Sequence, residues 1–355
     1  MAEVRTHAIP DRVRVAEALA WIDALPDAAA REDTLLTEAA GRILARDAIS
    51  NSDLPAVDRA AVDGIAVHAE ETIGASTYNP CVLQLSARQG DLAPGAAHRL
   101  NAGDPLPGGA DAVIPLQQVG LDELGRVTLS EPLAAGSGVE RRASQAARGS
   151  RLVAAGRRLV AADIGMLAAT GVAGVCVVAK PRVRCLLAEG TTQAGQPLPH
   201  GEVYDANRPL LRALIERDGG IVVEQRTIAR DRALLGHALV RPGADLILVV
   251  GGTGAGSNDH AAPALAEAGE IAIRGVAVRH AETAGMGLAA GVPIFLLPGN
   301  PVACLLAYEL FAGRVVRRFG GQNPALPFPS REMTATRKMV SEIGMLELRP
   351  VRSPS

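Results

Sequence analysis

The spacing of apolar residues changes along the chain and predicts different structures in different zones. Apolar residues recur at helical spacing over 13–25, and the spacing is repeated over 34–49. Residues three or four apart share one face of a helix. The pattern therefore predicts a helical N-terminal segment.

Residues 51–140 combine short apolar runs with frequent Gly and Pro. Short strands joined by turns give this texture, so we expect an inserted β-rich domain here. Residues 141–179 then predict one helix over 161–170 and one strand over 172–178.

From residue 182 onwards, apolar strands alternate with helical segments. Strands are predicted over 183–187, 221–224, 246–250, 270–273 and 292–297, and helices over 208–218, 231–240, 261–268 and from Pro301. This alternation is typical of a mostly parallel sheet covered by helices, which binds ligands at the carboxyl ends of its strands. The expected fold class is multidomain α/β plus β, with a central three-layer α/β module.

A glycine loop, residues 251–259, follows the most apolar of these strands. The strand over 246–250 is unbroken and rich in β-branched residues, which is typical of burial on both faces. Backbone N–H groups that glycine leaves uncovered can cradle a phosphate, although a plain tight turn is the alternative. The candidate ligand-binding residues are Gly251, Gly252, Thr253, Gly254 and Gly256, with Asp259 at the end of the loop.

Three further segments hold candidate site residues. Pro298-Gly299-Asn300-Pro301 ends the last predicted strand, and its Asn and Pro suit the N-cap and first position of a helix. Asp205 and Asn207 precede another predicted helix, and at least one of them is expected to be a cap. Asp58 and Asp63 are either functional carboxylates or turn residues.

Composition narrows the classes of partner. The chain has 355 residues, a formal net charge of −2 and 2% aromatic residues. It therefore lacks the positive field and the exposed rings that nucleic-acid binding uses, and we expect no nucleic-acid partner. Its apolar runs are of strand length, so we expect no membrane span. The four cysteines are scattered along the chain, so we expect buried thiols and no zinc site. We also expect a reducing, cytoplasmic location.

Five segments resemble, in the same order, motifs of the molybdopterin molybdenumtransferase family, which includes bacterial MoeA and the gephyrin E domain. They are DRAAVDGIA (58–66), AGDPLPGGADAVI (102–114), GEVYDAN (201–207), VGGTGAGSND (250–259) and LLPGNPVAC (296–304). The family motifs are DNSAMDGYA, TGAPLPxGADAVV, GxIYDSN, SGGVSVGxxD and GLPGNPVS. The glycine loop is also similar to GGTGxxxxD of the sister molybdopterin adenylyltransferase domains.

The resemblance implies a homodimer whose cleft binds adenylylated molybdopterin and inserts molybdate. The cleft would be formed by the α/β domain of one subunit and the β-rich domain of the other. The implied domains are a linker and dimerisation domain (1–50 and 141–179), a β-rich domain (51–140), a molybdopterin-binding α/β domain (180–322) and a truncated C-terminal β domain (323–355).

The same resemblance assigns roles to residues. Catalysis would fall to Asp58, Asp63, Glu189 and Asp259, with Mg²⁺ held by Asp259 and Glu189. Ligand contacts would come from the glycine loop, Asp205, Asn207, Arg279, Pro298, Gly299, Asn300 and Pro301.

Departures from the family pattern fall on charged positions. AEGTT (188–192) stands where family members read TGDEL, and RHAET (279–283) stands where they read KPGKP. Arg279 keeps one positive charge with a different geometry, whereas Glu282 reverses the other. Binding elements are thus retained and charged catalytic elements are reduced.

Two functions remain open from the sequence. One is active molybdenum insertion in cofactor biosynthesis. The other is a non-catalytic paralogue that binds a pterin or nucleotide and acts as carrier, chaperone or partner subunit of a molybdoenzyme or biosynthetic protein. A weaker alternative is a different phosphorylated or pterin-like substrate. Turnover of the adenylylated pterin distinguishes the first from the second.

Overall fold

A computed structural model describes residues 12–26, 30–86, 90–188, 190–229, 231–332, 334 and 337–349. The chain divides into two compact units. The first consists of residues 1–32 and 177–355, and the second of residues 33–176.

The described residues contain both long and short helices. The α-helices are α1 Val15–Ala24, α2 Ala161–Ala169, α3 Asn207–Arg217, α4 Arg232–Leu239, α5 Ala261–Ala268, α6 Pro301–Ala307 and α7 Gly313–Phe319. A π-helical turn, Tyr308–Ala312, joins α6 to α7. Single 3-10 turns span Leu36–Glu38, Ala69–Thr72 and Leu116–Gln118.

The strands are more numerous than the helices. Up to residue 178 they are β1 Arg31–Leu35, β2 Ala48–Ile49, β3 Arg59–Ala60, β4 Gly64–Val67, β5 Cys81–Leu85, β6 Ala96–Leu100, β7 Ala112–Pro115, β8 Gly120–Leu121, β9 Val127–Leu129, β10 Val139–Glu140, β11 Arg151–Val153 and β12 Gly174–Val178. After it they are β13 Arg182–Ala188, β14 Thr191–Thr192, β15 Val203–Tyr204, β16 Ile221–Ile228, β17 Leu246–Val250, β18 Glu270–Arg274, β19 Val278–Arg279, β20 Gly285–Ala289, β21 Val292–Leu297 and β22 Leu346–Glu347.

The first unit is built on a six-stranded sheet in the order β16-β13-β17-β21-β20-β18. The first four strands are parallel, and β20 and β18 run antiparallel to their neighbours. Alternate residues of β13 enter different cores, since Cys185 packs with α1, α3 and α6 whereas Leu186 packs with α4 and α5. Helices thus cover both faces, and the predicted three-layer α/β module is confirmed.

The second unit is rich in strands, as predicted. Its six-stranded sheet has the order β7-β4-β6-β5-β9-β8, and all its pairs are antiparallel except β5 with β6. The apolar face buries residues such as Ile65, Leu83 and Val127. Two short antiparallel pairs, β10 with β3 and β11 with β2, lie in the same unit. The four domain boundaries drawn from the family resemblance stay a prediction.

The helix predicted over 34–49 is wrong. This stretch contains the end of β1, one 3-10 turn and β2. Its backbone donors bind distant partners, because Leu36 N donates to Ala173 O at 2.9 Å and Ala45 N to Cys176 O at 2.8 Å. Leu36, Ile43 and Leu44 are buried, whereas Leu35 and Ile49 are exposed. Tertiary contacts therefore decide the structure of this stretch in place of helical spacing.

Two further sequence expectations concern cysteines and membranes. Cys185 and Cys304 are buried, and burial raises the pKa of each thiol to about 12. Both thiols are therefore protonated near neutral pH. Among the described residues, no helix combines the length and apolar character that a membrane crossing requires.

Candidate functional site

The glycine loop connects the carboxyl end of β17 to α5. Gly251 and Gly252 have φ values of +85° and +65°, which side chains disfavour. Gly251 N donates to Leu297 O at 2.9 Å, and a Cβ at Gly251 would lie 3.3 Å from the Ala188 Cβ. Both the backbone conformation and the neighbouring strand therefore favour glycine at the start of the loop.

Asp259 closes the same loop. Its Oδ2 accepts a hydrogen bond from Gly256 N at 2.8 Å. A Cβ at Gly254 would lie 2.6 Å from this oxygen, and one at Gly256 would lie 3.1 Å from it. The later glycines thus leave room for the carboxylate, which gives Asp259 a structural role in the loop.

The predicted magnesium site of Asp259 and Glu189 stays a prediction. One oxygen of Asp259 is engaged by Gly256 N. Glu189, its predicted partner in metal binding and catalysis, lies outside the described residues. Within the described part of the chain, no three His, Cys, Asp or Glu side chains converge in a way that suits a metal ion.

Thr253 anchors the loop to a second segment. Its side chain is buried, and its Oγ1 lies 2.9 Å from the Oγ1 of Thr283. Thr283 lies shortly before β20 and was not singled out as a ligand contact from the sequence.

The Pro298–Pro301 turn lies beside the glycine loop. Asn300 is the N-cap of α6, because its Oδ1 accepts hydrogen bonds from Val302 N at 3.0 Å and Ala303 N at 3.2 Å. The predicted cap is therefore confirmed, with Pro301 as the first helical residue. A Cβ at Gly299 would lie 3.4 Å from the Gly251 Cα, so the two turns pack closely.

Asn207 bridges α3 to this turn. Its Nδ2 donates to Gly299 O at 2.8 Å, and the residue is only 8% exposed. Because a carbonyl only accepts hydrogen bonds, this contact fixes the orientation of the amide. Its Oδ1 is buried and has no hydrogen-bond partner among the described residues.

Asp205 directly precedes Ala206, the N-cap residue of α3, and its carboxylate accepts a hydrogen bond from the first turn of the helix, which confirms the expected capping role. Its Oδ1 accepts from Arg208 N at 2.9 Å, and its Oδ2 accepts from Arg208 Nε at 3.1 Å. Arg208 also donates to Gln225 O at 3.0 Å and to Thr227 Oγ1 at 2.8 Å. The Arg208 guanidinium therefore neutralises the charge of this buried carboxylate.

These residues line an open cleft of about 420 Å³, which we call the phosphate cleft. Its lining includes Asp205, Asn207, Gly251–Gly254, Asp259 and Gly299, all from the first unit. The described lining residues include no Lys or Arg. An anion in the cleft would therefore be held by backbone N–H groups and hydroxyls rather than by a side-chain cation.

A second, much smaller cavity of about 30 Å³, the apolar slot, adjoins the phosphate cleft. Its walls include Leu186, Ile228, Leu235, Val249 and Ala261, and its polar lining residues are Asp231, Asn258 and His260. The slot and the cleft share Leu187, Ala188, Gly251 and Gly252. The sequence did not single out His260, although its place directly after Asp259 was a signal.

Arg279 lies in β19 and is not among the residues that line either cavity. Its Nε is 3.9 Å from the Glu282 Oε1, and its Nη2 is 3.6 Å from the Glu342 Oε2. The strand that carries it pairs with β22. Its positive charge is thus shared by two carboxylates.

Asp58 and Asp63 lie in the second unit. Asp58 Oδ1 accepts from Arg142 N at 2.7 Å and its Oδ2 from Arg141 Nη1 at 3.0 Å. The Arg142 N–H, and then the Arg141 guanidinium, hold the pKa of Asp58 below its usual value. Asp63 Oδ1 accepts from Ala102 N at 2.7 Å. Both side chains hold turns, and their catalytic role stays a prediction.

Two family models cover most of the chain. Residues 13–171 match the MoeA N-terminal region (domain I and II), and residues 185–318 match a probable molybdopterin binding domain.

Individual relatives agree with these matches. Molybdopterin molybdenumtransferase 2 of Mycobacterium tuberculosis is 33% identical over 85% of this chain and 78% of its own length. The molybdopterin molybdenumtransferase of a Nostoc species is 31% identical over 84% of this chain and 72% of its own. A molybdopterin biosynthesis MoeA protein from Pyrococcus horikoshii has a crystal structure that superposes with a TM-score of 0.77 at 29% identity, over 88% of this chain and 81% of that one.

Proposed function

Since the chain belongs to the molybdopterin molybdenumtransferase family, we propose that its phosphate cleft binds molybdopterin or adenylylated molybdopterin in molybdenum cofactor biosynthesis. The phosphate would lie against the backbone of Gly251–Gly254, where the absence of side chains allows close approach. The pterin would lie towards Asn207.

The buried amide oxygen of Asn207 is the observation that carries this proposal. Leaving a buried acceptor unpaired costs about 1–3 kcal/mol, so a donor from a ligand would be favourable there. A pterin ring carries amino and ring N–H donors. Phosphate alone would leave the Asn207 oxygen without a donor. A phosphorylated pterin would donate to this oxygen and would also place its phosphate against the glycine loop.

The chemistry available to the described residues is mainly that of binding and orientation. The glycine loop would hold the phosphate, and the Asn207 amide would fix the pterin edge. Asp259 keeps the loop closed through Gly256 N. Binding of Mg²⁺ by Asp259 would need Glu189 as well.

A non-catalytic carrier or partner subunit is the second candidate function. It is favoured by the charge around Arg279, which is shared by Glu282 and Glu342, and by a described cleft lining without Lys or Arg. Such a protein would bind the pterin and pass it on without turnover.

The test combines turnover and binding on the full chain. For an active transferase we expect hydrolysis of adenylylated molybdopterin in the presence of Mg²⁺ and molybdate, and for a carrier we expect binding alone. Asn207→Ala should weaken binding about tenfold, by the arithmetic of one lost hydrogen bond. Asn79→Ala, an exposed change in the second unit, is the control. Equal affinities in the two variants would refute the role of Asn207.

We extend the proposal to a cytoplasmic homodimer, in which Asp58 and Asp63 of one copy would serve the phosphate cleft of the other. Complementation tests this arrangement directly. A mixture of Asp63→Ala and Asn207→Ala chains should recover turnover if sites are shared between copies. Recovery no greater than the sum of the separate variants would exclude shared sites.

A further inference from the structure

The strand β16 forms one edge of the six-stranded sheet in the first unit. It stands at the end of the sheet order, and among the described residues it pairs with β13 alone. It is eight residues long, and Val223 in its first half is 42% exposed. Gln225 O accepts a hydrogen bond from Arg208 Nη1 at 3.0 Å, and a carbonyl can accept a second one. The outer side of an edge strand is a template on which a further strand can pair.

Positive charge exceeds negative charge along this strand. The Glu224 carboxylate lies 2.8 Å from Arg184 Nε and 4.0 Å from Arg226 Nε, and Arg241 Nη2 contacts it as well. Arg184 is buried, and burial, followed by the charges of Arg241 and Arg226, lowers the pKa of its guanidinium. Arg226 and Arg241 are half-exposed. One carboxylate therefore faces three cations, and the two cations at the surface can still attract an acidic partner.

An open groove of about 460 Å³, which we call the edge groove, lies between α3 and β16. It shares no lining residue with the phosphate cleft. Its lining combines apolar and polar side chains, namely Arg208, Pro209, Arg212, Val222, Val223, Glu224 and Gln225. A strand added beside β16 would therefore have this groove next to it.

The groove and the two exposed arginines serve different faces of the sheet. Gln225 pairs with Cys185, which packs on the α3 side, whereas Arg226 pairs with Leu186, which packs against α4 and α5. Successive side chains of a strand point to opposite faces. An added strand would thus direct one row of side chains towards the edge groove and the other row towards the arginines.

We propose that β16 binds an extended acidic segment of another protein, which adds as a further strand and places alternate carboxylates at Arg226 and Arg241. The intervening side chains are apolar and lie in the edge groove against Pro209 and Val223. A second copy of this chain is a poor occupant, because it would bring the same excess of positive charge to the edge. Single-stranded nucleic acid is also a poor one, since the groove lining holds no ring for stacking.

The experiment measures the fluorescence anisotropy of labelled peptides titrated with the full chain. The probe is a synthetic eight-residue peptide in which Glu alternates with Val. We expect a dissociation constant of about 100 μM or tighter at low salt, and weaker binding as the salt concentration rises. One control peptide has Gln in place of Glu and lacks the charge. The other has Pro in place of Val and lacks half of the backbone donors. Each control should bind at least about tenfold more weakly than the probe.

Substitutions in the chain test the charges in both directions. Arg226→Gln removes one exposed cation and should weaken binding of the probe about fivefold. Arg14→Gln is the matched control in the same unit, because Arg14 is an exposed arginine that pairs with Glu17. Glu224→Gln removes the competing carboxylate but keeps an acceptor for Arg184, and it should tighten binding about threefold. Melting temperatures show that each variant is folded.

The contrary outcomes are equally definite. Absence of probe binding, equal binding of the Gln peptide, or equal effects of Arg226→Gln and Arg14→Gln would overturn the proposal. Equal binding of the Pro peptide would show that the arginines attract anions without strand addition, which overturns it too. A labelled oligothymidine that binds more tightly than the probe, and is weakened by Arg226→Gln, would assign the surface to nucleic acid instead. None of these results depends on the phosphate cleft.

Discussion

The side-chain oxygens of Thr253 and Thr283 lie 2.9 Å apart, and this contact joins the glycine loop to the segment before β20. Thr253 is buried, so its hydroxyl depends on this partner. The segment that carries Thr283 also contains Glu282, where the motif comparison predicts a reversed charge. The contact therefore connects a predicted binding element to the segment with the predicted charge reversal.

Thr283→Val should loosen the glycine loop, because it leaves the buried Thr253 hydroxyl without its partner. We expect a loss of about 1 kcal/mol in the free energy of unfolding and several-fold weaker ligand binding. Chemical denaturation and calorimetry measure the two effects. Thr283→Ser keeps the hydroxyl and should behave like the wild type. Equal effects of Thr283→Val and Thr283→Ser would exclude this hydrogen bond as the cause of the lost stability and affinity.

Gly252→Ala should weaken phosphate binding and also destabilise the fold. The φ of +65° disfavours any side chain, at a cost of about 1–2 kcal/mol. Gly236→Ala is the control, since Gly236 lies inside α4 and an added Cβ meets nothing within 4 Å. The control should be neutral or stabilising and should bind ligand normally. Unchanged binding in Gly252→Ala would show that the loop is only a turn.

Asp259→Asn and Asp259→Ala separate the structural role of Asp259 from any role of its charge. In Asp259→Asn an amide oxygen can still accept from Gly256 N, so this variant should keep the loop conformation and the melting temperature of the wild type. Ala removes the acceptor and should lower the melting temperature. Ligand titrations with and without Mg²⁺ then report on charge. If Asn weakens only the titration with Mg²⁺, the carboxylate binds metal in addition to closing the loop.

Arg279→Ala should change ligand affinity by less than about threefold, because Glu282 and Glu342 already share its charge. These long, exposed pairs contribute little stability, so the melting temperature should also change little. Calorimetry with inorganic phosphate provides the measurement. A loss of tenfold or more, by the usual conversion of affinity to free energy, would make Arg279 an anion-binding residue.

The hydrogen bonds of Asp58 predict an acid-sensitive contact in the second unit. Its pKa is lower in the folded chain than in the unfolded chain, where a value of about 3.9 is usual. The carboxylate therefore stabilises the fold above about pH 4, and that contribution is lost as the pH falls through the lowered folded pKa.

When the pH is lowered from about 6 to about 3, the melting temperature of Asp58→Asn should consequently fall less than that of the wild type. The amide keeps an acceptor for Arg142 N but does not titrate in this range. Parallel pH profiles of the two proteins would contradict the assignment.

The elements that the sequence predicted well are those whose local signal agrees with their tertiary role. β17 is an apolar run buried along its whole length, and Asn300 and Pro301 are a cap and first helical residue in the structure as in the pattern. Local chemistry was sufficient for both, because neither depends on a distant partner.

Other elements depend on partners that no local pattern reveals. β20 was not predicted, because Gly285 and Gly287 weaken its strand signal. A Cβ at Gly287 would lie 2.0 Å from Glu270 O on β18, so the close strand pairing itself requires glycine. The apolar slot was missed for a related reason, since its walls come from elements well separated in sequence.

Calorimetric titration of molybdopterin into the full chain tests the central claim most directly. We expect binding with a dissociation constant of about 1 μM or tighter for the wild type, and at least about tenfold weaker binding for Asn207→Ala. The melting temperature of this variant should also fall, because Gly299 O loses its donor. Absence of binding to the wild type, or equal affinity in the variant, would contradict the assignment of the phosphate cleft.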